Sequence, residues 1–252
     1  MQLGSDKWVL RVGATDTAPR IRLICFPYAG GGPDLFRAWA DGLPAGVELI
    51  AVRLPGRGSR VRERMYQSWA PLIEDTYAAL SGYLDEPHAL YGHSFGGRLA
   101  YELTHLTVAG HPGRTRRLFV SGCRSPDTPQ ARPYLHQLPE TGFQAALRAM
   151  SGTAGEILEH PTLMRMMLPT VHSDIRLAEL WGDRHGHGVD VPITALYGRD
   201  DPVDDERSMR GWRGYSARGA ELVEIPAGHF FLETHRRELL TVIGSRLEVP
   251  GA

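Results

Sequence analysis

The feature that most limits the fold of this 252-residue chain is the alternation of strand and helix patterns. Short apolar runs of the kind found in buried strands lie at 22–28, 47–54, 89–93, 118–121, 193–197 and 222–225. Between them lie stretches such as 69–84, whose apolar side chains recur at helical spacing. Strands that alternate with helices build βαβ units, so we predict an α/β fold with a mostly parallel central sheet flanked by helices.

The alternation is interrupted between residues 127 and 188, where strand patterns give way to short helical ones. These lie at 143–150, 155–168 and 172–181, separated by glycine and proline. We predict a helical lid over 127–188, because an ordinary crossover between strands needs only about a dozen residues. The alternative is a set of plain crossover helices.

The rest of the chain is divided accordingly. Residues 1–20 are polar and are expected to form an irregular N-terminal arm. Residues 21–126 and 189–248 are expected to form the core.

The composition excludes several classes of protein. The formal net charge of -1 lacks the basic excess of a nucleic-acid binder. Lys7 is the only lysine and lies near the terminus, which argues against a P-loop or a pyridoxal Schiff base. Two cysteines are too few for a disulfide framework. With no signal-peptide pattern and no apolar run of membrane-spanning length, we expect a soluble cytoplasmic protein without nucleic-acid or membrane partners.

A candidate nucleophile lies in the sequence Gly92-His93-Ser94-Phe95-Gly96, which fits the pattern G-x-S-x-G. The pattern alone is weak, but here it falls between a predicted strand and a predicted helix. That context produces a tight turn with a strained serine exposed above the sheet. We therefore predict Ser94 as the nucleophile; the alternative is a plain turn between strand and helix.

A serine nucleophile needs a base and an acid that orients it, in the chain order Ser, Asp or Glu, His. His229 directly follows the last predicted strand, so it is the candidate base. Of the two aspartates after the strand 193–197, the spacing after Gly198 selects Asp201, with Asp200 as the close competitor. Asp127, after the strand 118–121, is a third candidate. The pair His185 and His187 has no partnering cysteines or nearby carboxylate cluster, so we predict no metal site.

Hydrolysis through a serine also needs an oxyanion hole made of two backbone N–H groups. One is expected from Phe95, the residue after the nucleophile. The other is expected from the loop Tyr28-Ala29-Gly30-Gly31-Gly32, whose glycines allow the backbone to approach a substrate closely. We choose Ala29 as the second donor, with Tyr28 as the alternative.

Taken in order, the motifs FPYAGGG, RLPGRGSR, YGHSFGGRLAYEL, LPTVHSDIRLAELW, YGRDDP and AGHFFL resemble those of type II thioesterases. These are the discrete editing enzymes of polyketide and nonribosomal peptide assembly lines, and the resemblance covers about residues 20–245. It implies an α/β-hydrolase fold with a helical lid. It also implies hydrolysis of acyl thioesters on the phosphopantetheine arm of an acyl- or peptidyl-carrier protein. Ser94, His229 and Asp201 fall on the triad of that family.

The implied reaction uses no metal or cofactor, and we expect a monomer. Tyr28 stands where family members often have histidine, and we expect it at the mouth of the pocket. Met164 and Met167 belong to an apolar stripe of the lid that either packs the lid onto the core or lines an acyl channel. Alternatives to the thioesterase are a carboxylesterase or acyltransferase with the same triad, or a non-catalytic scaffold.

Arginines crowd the segment after the second predicted strand, at Arg53, Arg57, Arg60, Arg62 and Arg64. Carrier proteins of such pathways are generally acidic, as the resemblance implies, so opposite charges would speed the encounter. We expect Arg57 to hold the loop, and Arg60, Arg62 or Arg64 to contribute to carrier recognition. The alternative is that these arginines pair with acids of the same chain, such as Glu63.

Overall fold

A seven-stranded sheet forms the centre of the computed structural model, which describes residues 7–13, 19–150 and 161–247. The strands are β1 (Val9–Val12), β2 (Ile21–Phe26), β3 (Val47–Val52), β4 (His88–His93), β5 (Thr115–Ser121), β6 (Ile193–Gly198) and β7 (Ala220–Ile225). Their order across the sheet is β1-β3-β2-β4-β5-β6-β7. Every neighbouring pair is parallel except β1 with β3, so the prediction of a mostly parallel sheet is confirmed.

Strand β1 differs from the sequence prediction, which treated residues 1–20 as irregular. It pairs antiparallel with β3, with Val9 opposite Val52. The four residues of β1 are too few for an alternating pattern to be recognised in a polar segment. The strand is stabilised by its neighbour instead: Trp8 and Val9 are buried, and the Arg53 N–H donates to the Trp8 carbonyl at 2.6 Å.

The helices lie on both faces of the sheet and in the segment between β5 and β6. They are α1 (Trp69–Leu84), α2 (Phe95–Gly110), α3 (Glu140–Met150), α4 (Pro161–Glu179), α5 (Glu206–Met209), α6 (Phe231–Thr234) and α7 (Arg236–Arg246). Within the described residues, four further segments have 3₁₀ geometry: Pro33–Gly42, Gly58–Arg60, Leu135–Gln137 and Arg210–Gly214. The final helical segment is divided at His235 into α6 and α7.

The core has two layers because side chains alternate along each strand. Leu90 of β4 faces one layer, which also holds buried leucines of α1 and α2. Tyr91, the next residue, faces the other layer with the 3₁₀ segment Pro33–Gly42 and α7. Burying a side chain of this size contributes about 1.5–3 kcal/mol, so these two layers hold the sheet in place under the site.

Between β5 and β6, helices α3 and α4 share a third apolar cluster around Phe143, Leu147 and Met164. The predicted helical stretches 155–168 and 172–181 are joined, since α4 continues through Pro169. Residues 151–160, where part of the first stretch falls, lie outside the described residues. The sequence predicts two separate helical stretches at this point because proline normally interrupts a helix. Packing of both halves of α4 outweighs this local preference.

Within the described segments, no helix combines the length and the apolarity that crossing a bilayer requires. The cytoplasmic location stays a prediction.

Candidate active site

Ser94 lies in the tight turn between β4 and α2. Its φ of 54° and ψ of -114° make it the one non-glycine residue with positive φ in the described part of the chain. Glycines on either side are required by space: a Cβ at Gly92 would lie 2.0 Å from the Gly96 carbonyl oxygen, and one at Gly96 would lie 2.3 Å from that of Phe26. Such strain persists only where the surrounding structure enforces it. Here the close packing at the two glycines holds Ser94 at the carboxyl edge of the sheet.

His229 follows β7 and is oriented by Asp201, which follows β6. The His229 Nδ1–H donates to Asp201 Oδ2 at 2.7 Å, and both side chains are buried. The other carboxylate oxygen accepts the backbone N–H groups of Val203 at 2.7 Å and Asp204 at 3.1 Å. Because Nδ1 must donate to the carboxylate, the lone pair of His229 is on Nε2, where a general base needs it.

The two competing acids are placed differently. Asp200 is exposed beside Asp201. Asp127 is also exposed, and its carboxylate accepts the Ser125 hydroxyl at 2.7 Å. Among the three candidates, the structure therefore pairs His229 with Asp201.

His93 packs beside His229, with ring centroids 5.0 Å apart. It is fully buried, and its Nδ1 forms a hydrogen bond of 2.8 Å with the Ser121 hydroxyl. Burial, and then the neighbouring His229, lower the pKa of His93 well below its usual range. His93 therefore places no positive charge beside His229.

The predicted oxyanion loop forms a tight turn next to the serine. The Gly31 N–H donates to the Tyr28 carbonyl at 2.9 Å, and Gly30 has a φ of 77°, the geometry of a type II turn. Close packing of Gly96 on the end of β2 brings this turn beside the start of α2. The Phe95 N–H, in the first turn of α2, has no partner within the helix. The backbone donors predicted at Ala29 and Phe95 thus belong to adjacent segments.

A cavity of about 320 Å³ lies above Ser94 and His229. Its wall includes the predicted Tyr28, Ala29 and Met167. The further apolar lining comes from Leu35, Leu147, Val171, Ile175 and Phe230. The Tyr28 hydroxyl donates to Glu233 at 2.8 Å, and burial, followed by this carboxylate, raises the pKa of Tyr28. The cavity is thus a largely apolar space that ends at the serine.

Met164 does not belong to this wall in the described structure. Its side chain is 5% exposed and packs with Phe143 and Leu147 inside the lid. The predicted substrate-binding role for Met164 is therefore not supported: Met164 and Met167 lie on the same side of α4, but Met164 packs against α3 and only Met167 reaches the cavity. The sequence identified the apolar stripe but could not show which of its members reaches the cavity.

The arginines of the loop after β3 differ in their exposure to solvent. Arg60 is 3% exposed: it pairs with Glu63, donates to the Arg53 carbonyl at 2.8 Å and lies 3.7 Å from the ring centre of Trp8. Expecting Arg60 to meet a carrier protein was therefore wrong. Arg62 and Arg64 are exposed.

Three buried charged residues near the cavity were missed. Glu179 accepts hydrogen bonds from the backbone N–H groups of Leu135 and His136. The Arg98 guanidinium donates a hydrogen bond to Asp204 Oδ2 at 3.1 Å. Asp174, on α4, accepts the Gly30 N–H. In sequence these side chains look like the polar positions of ordinary helices, and only the tertiary packing distinguishes them.

In the described part of the chain, no three metal-ligating side chains come together as a metal site. His185 instead contacts Glu102 at 3.0 Å and stacks on His105, with ring centroids 3.6 Å apart.

Comparison with solved structures identifies the fold. The structure of BorB, a type II thioesterase from the borrelidin biosynthetic cluster, matches with a TM-score of 0.83 and 31% sequence identity. The match covers 96% of this chain and 97% of that one. Together with the sheet order and the turn at Ser94, this places the chain in the α/β-hydrolase fold, as the sequence predicted.

The sequence comparisons agree. The thioesterase PikA5 of Streptomyces venezuelae is 31% identical over 99% of this chain and 88% of that protein. The AMB antimetabolite synthetase AmbE of Pseudomonas aeruginosa is 36% identical over 97% of this chain, which spans only 11% of the synthetase. The family model described as "Thioesterase domain" matches residues 21–247. This chain belongs to the thioesterase domain family.

Proposed function

We propose that this protein hydrolyses acyl thioesters from the phosphopantetheine arm of carrier proteins, with Ser94, His229 and Asp201 as its triad. The observation that carries the proposal is the buried Asp201–His229 pair, 2.7 Å apart, whose histidine lines the same apolar cavity as the strained Ser94. Its biological role would be removal of aberrant acyl groups in a polyketide or nonribosomal peptide pathway. The name of one solved neighbour supports a biosynthetic role, since BorB is a type II thioesterase from the borrelidin biosynthetic cluster.

The chemistry follows from the geometry. Ser94 Oγ attacks the thioester carbonyl carbon while His229 Nε2 takes the hydroxyl proton, and Asp201 stabilises the resulting imidazolium. The Phe95 and Ala29 N–H groups bind the developing oxyanion, each contributing about 10²–10³-fold in rate. The carbon–sulfur bond then breaks, and His229 returns the proton to the leaving thiolate, whose conjugate acid has a pKa of about 8.5.

The second half of the reaction uses the same groups. His229 takes a proton from water, the water oxygen attacks the acyl-serine ester, and the carboxylic acid leaves as Ser94 regains its proton. The apolar wall of the cavity binds the acyl chain. Its volume of about 320 Å³ is near the lower end of the usual ligand-site range, about 300–1,000 Å³, which suits an acyl group better than a finished macrocycle.

The test compares the wild-type protein with Ser94→Ala on an acyl-carrier protein, the matching acyl-CoA and the corresponding oxygen ester. We expect the carrier thioester to be hydrolysed fastest, and Ser94→Ala to lose at least about 10³-fold in kcat. A fluorophosphonate probe should label the wild-type serine and leave Ser94→Ala unlabelled. Faster cleavage of the oxygen ester would indicate an esterase, acyl transfer to an added amine a transferase, and an unlabelled wild-type serine a non-catalytic scaffold.

A further inference from the structure

The lid helix α4 lies directly against the oxyanion turn. The Gly30 N–H donates to Asp174 Oδ2 at 2.8 Å. One turn earlier in the helix, Val171 fills the space beside Gly30, where an added Cβ would lie 2.4 Å from Val171 Cγ2. A polar and an apolar contact therefore both join α4 to the residue next to Ala29.

The carboxylate at Asp174 is itself held in place by Arg57, from the loop after β3. The guanidinium donates to the same oxygen, Asp174 Oδ2, and also to the Pro55 carbonyl at 2.9 Å. The two side chains are only 6% and 7% exposed. Burying a carboxylate is costly unless it is paired and hydrogen-bonded, so the contact with Arg57 holds the Asp174 side chain beside the turn.

The Gly30 N–H is the group that fixes the conformation of the turn. In a type II turn, the peptide between the second and third residues has the opposite orientation from that in a type I turn. Here that peptide joins Ala29 to Gly30, and its N–H is the one bound by Asp174. Without this acceptor, the peptide is free to flip. A flip would change ψ of Ala29 and φ of Gly30, and it would release the contact that holds the turn, and with it the Ala29 N–H, against α4.

We propose that Asp174, held by Arg57, is a positioning residue through which the lid helix fixes the oxyanion turn in its donor conformation. The inference rests on the proposed function, because it concerns stabilisation of the oxyanion in that reaction. It makes the seating of α4 a requirement for catalysis as well as a cover for the acyl chain.

The first test is Asp174→Ala, which removes the acceptor. The interaction matters only when the oxyanion forms, so we expect kcat to fall by about 10–10²-fold, part of the loss caused by deleting an oxyanion donor, with KM within twofold. Binding of a trifluoromethyl ketone analogue, which forms a tetrahedral oxyanion with Ser94, should weaken by the same factor as kcat/KM. Asp174→Asn, which can place a carbonyl oxygen in the same position, should restore most of kcat.

The matched control is Thr170→Val. Thr170 is as buried as Asp174 and also joins α4 to the core, through a hydrogen bond of 2.8 Å from its hydroxyl to the Gly56 carbonyl. It neither contacts the turn nor lines the cavity in the described structure. Its kcat should therefore equal that of the wild type.

Asp174→Ala leaves the Arg57 charge buried without a partner and can unfold the protein. The double variant Arg57→Met/Asp174→Leu avoids this, since replacing a buried ion pair by apolar side chains of similar size is often neutral for stability. We expect it to keep the wild-type thermal midpoint and still show the loss in kcat. Wild-type kcat in the double variant, a loss confined to KM, or an equal loss in Thr170→Val would overturn the proposal. Failure of the wild type to hydrolyse acyl thioesters would instead refute the proposed function.

Discussion

Contacts, rather than spacing, distinguish Asp201 from the other candidate acids. Its side chain is fully buried, and each carboxylate oxygen accepts a hydrogen bond from His229 or from the backbone. Asp200, one residue away, is exposed. The double aspartate left this choice open in the sequence, because a shift of one residue after a strand reverses the side to which a side chain points.

Replacing Asp201 with asparagine should disable the base without unfolding the site. Two backbone N–H groups require the amide oxygen, so the amide nitrogen must face His229 Nδ1. His229 Nδ1 then becomes a hydrogen-bond acceptor, and the imidazole proton moves to Nε2. We expect kcat to fall by about 10³–10⁴-fold in Asp201→Asn, measured by thioester hydrolysis. Asp200→Asn and Asp127→Asn are the controls and should stay within about twofold; a greater loss in either would reassign the acid.

At the scale of elements, sequence patterns predict the core strands better than the lid. The strands of the core were predicted because apolar runs and turn residues mark them locally, and the Ser94 turn because its glycines are required by local space. The sequence pattern predicts a break in α4 near Pro169, but the helix is continuous there, since its continuity depends on packing against distant residues. The contact of Asp174 with Gly30, 144 positions apart, has no local signal at all.

Met164 and Met167 of α4 give a matched pair for testing the cavity. Met167 lines the cavity, whereas Met164 is buried within the lid. Met167→Ala should enlarge the acyl site and shift preference toward longer chains, each methylene being worth about 1–3 kcal/mol in kcat/KM. Met164→Ala should leave the preference unchanged and lower lid stability by about 2–5 kcal/mol. The measurements are kcat/KM across a series of acyl chain lengths and the thermal midpoint of each variant. A shift in chain-length preference with Met164→Ala alone would contradict the assignment of Met167 to the cavity wall.

At the scale of the whole molecule, the exposed Arg62 and Arg64 present positive charge beside the lid. Their loop contacts α4, since Ser173 donates to the Tyr66 carbonyl at 3.0 Å. We expect Arg62→Glu/Arg64→Glu to raise KM for acyl-carrier protein, most strongly at low salt, because exposed charges act over about 10 Å at 0.1 M. Hydrolysis of a small acyl thioester should not change.

The control for this charge reversal is Arg116→Glu. Arg116 is also exposed but lies at the amino end of β5, the opposite edge of the sheet from the site. It should leave KM for the carrier protein unchanged. Equal losses on carrier and small substrates, or an equal effect of Arg116→Glu, would show that the arginine loop does not recognise the carrier.

Buried histidines make the stability of the whole molecule depend on pH. His88 is fully buried at the start of β4, where its ring bonds the Glu86 carbonyl and the Thr115 hydroxyl. Burial lowers its pKa from 6.5 to about 4, and the nearby charges of His111 and Arg22 act in the same direction. His93 has its pKa lowered for the same first reason.

In each case the unfolded chain binds a proton more readily than the folded chain. The stability gained by keeping these histidines neutral is therefore present above pH 6.5, and it is lost as pH falls from 6.5 toward about 4. Each histidine contributes a slope of up to about 1.4 kcal/mol per pH unit in that window. Urea unfolding at pH 7, 6 and 5 measures the slope, and His88→Gln should reduce it by up to one proton equivalent. An unchanged slope in His88→Gln would show that His88 does not titrate between the two states, and would leave carboxylates as the source of the pH dependence.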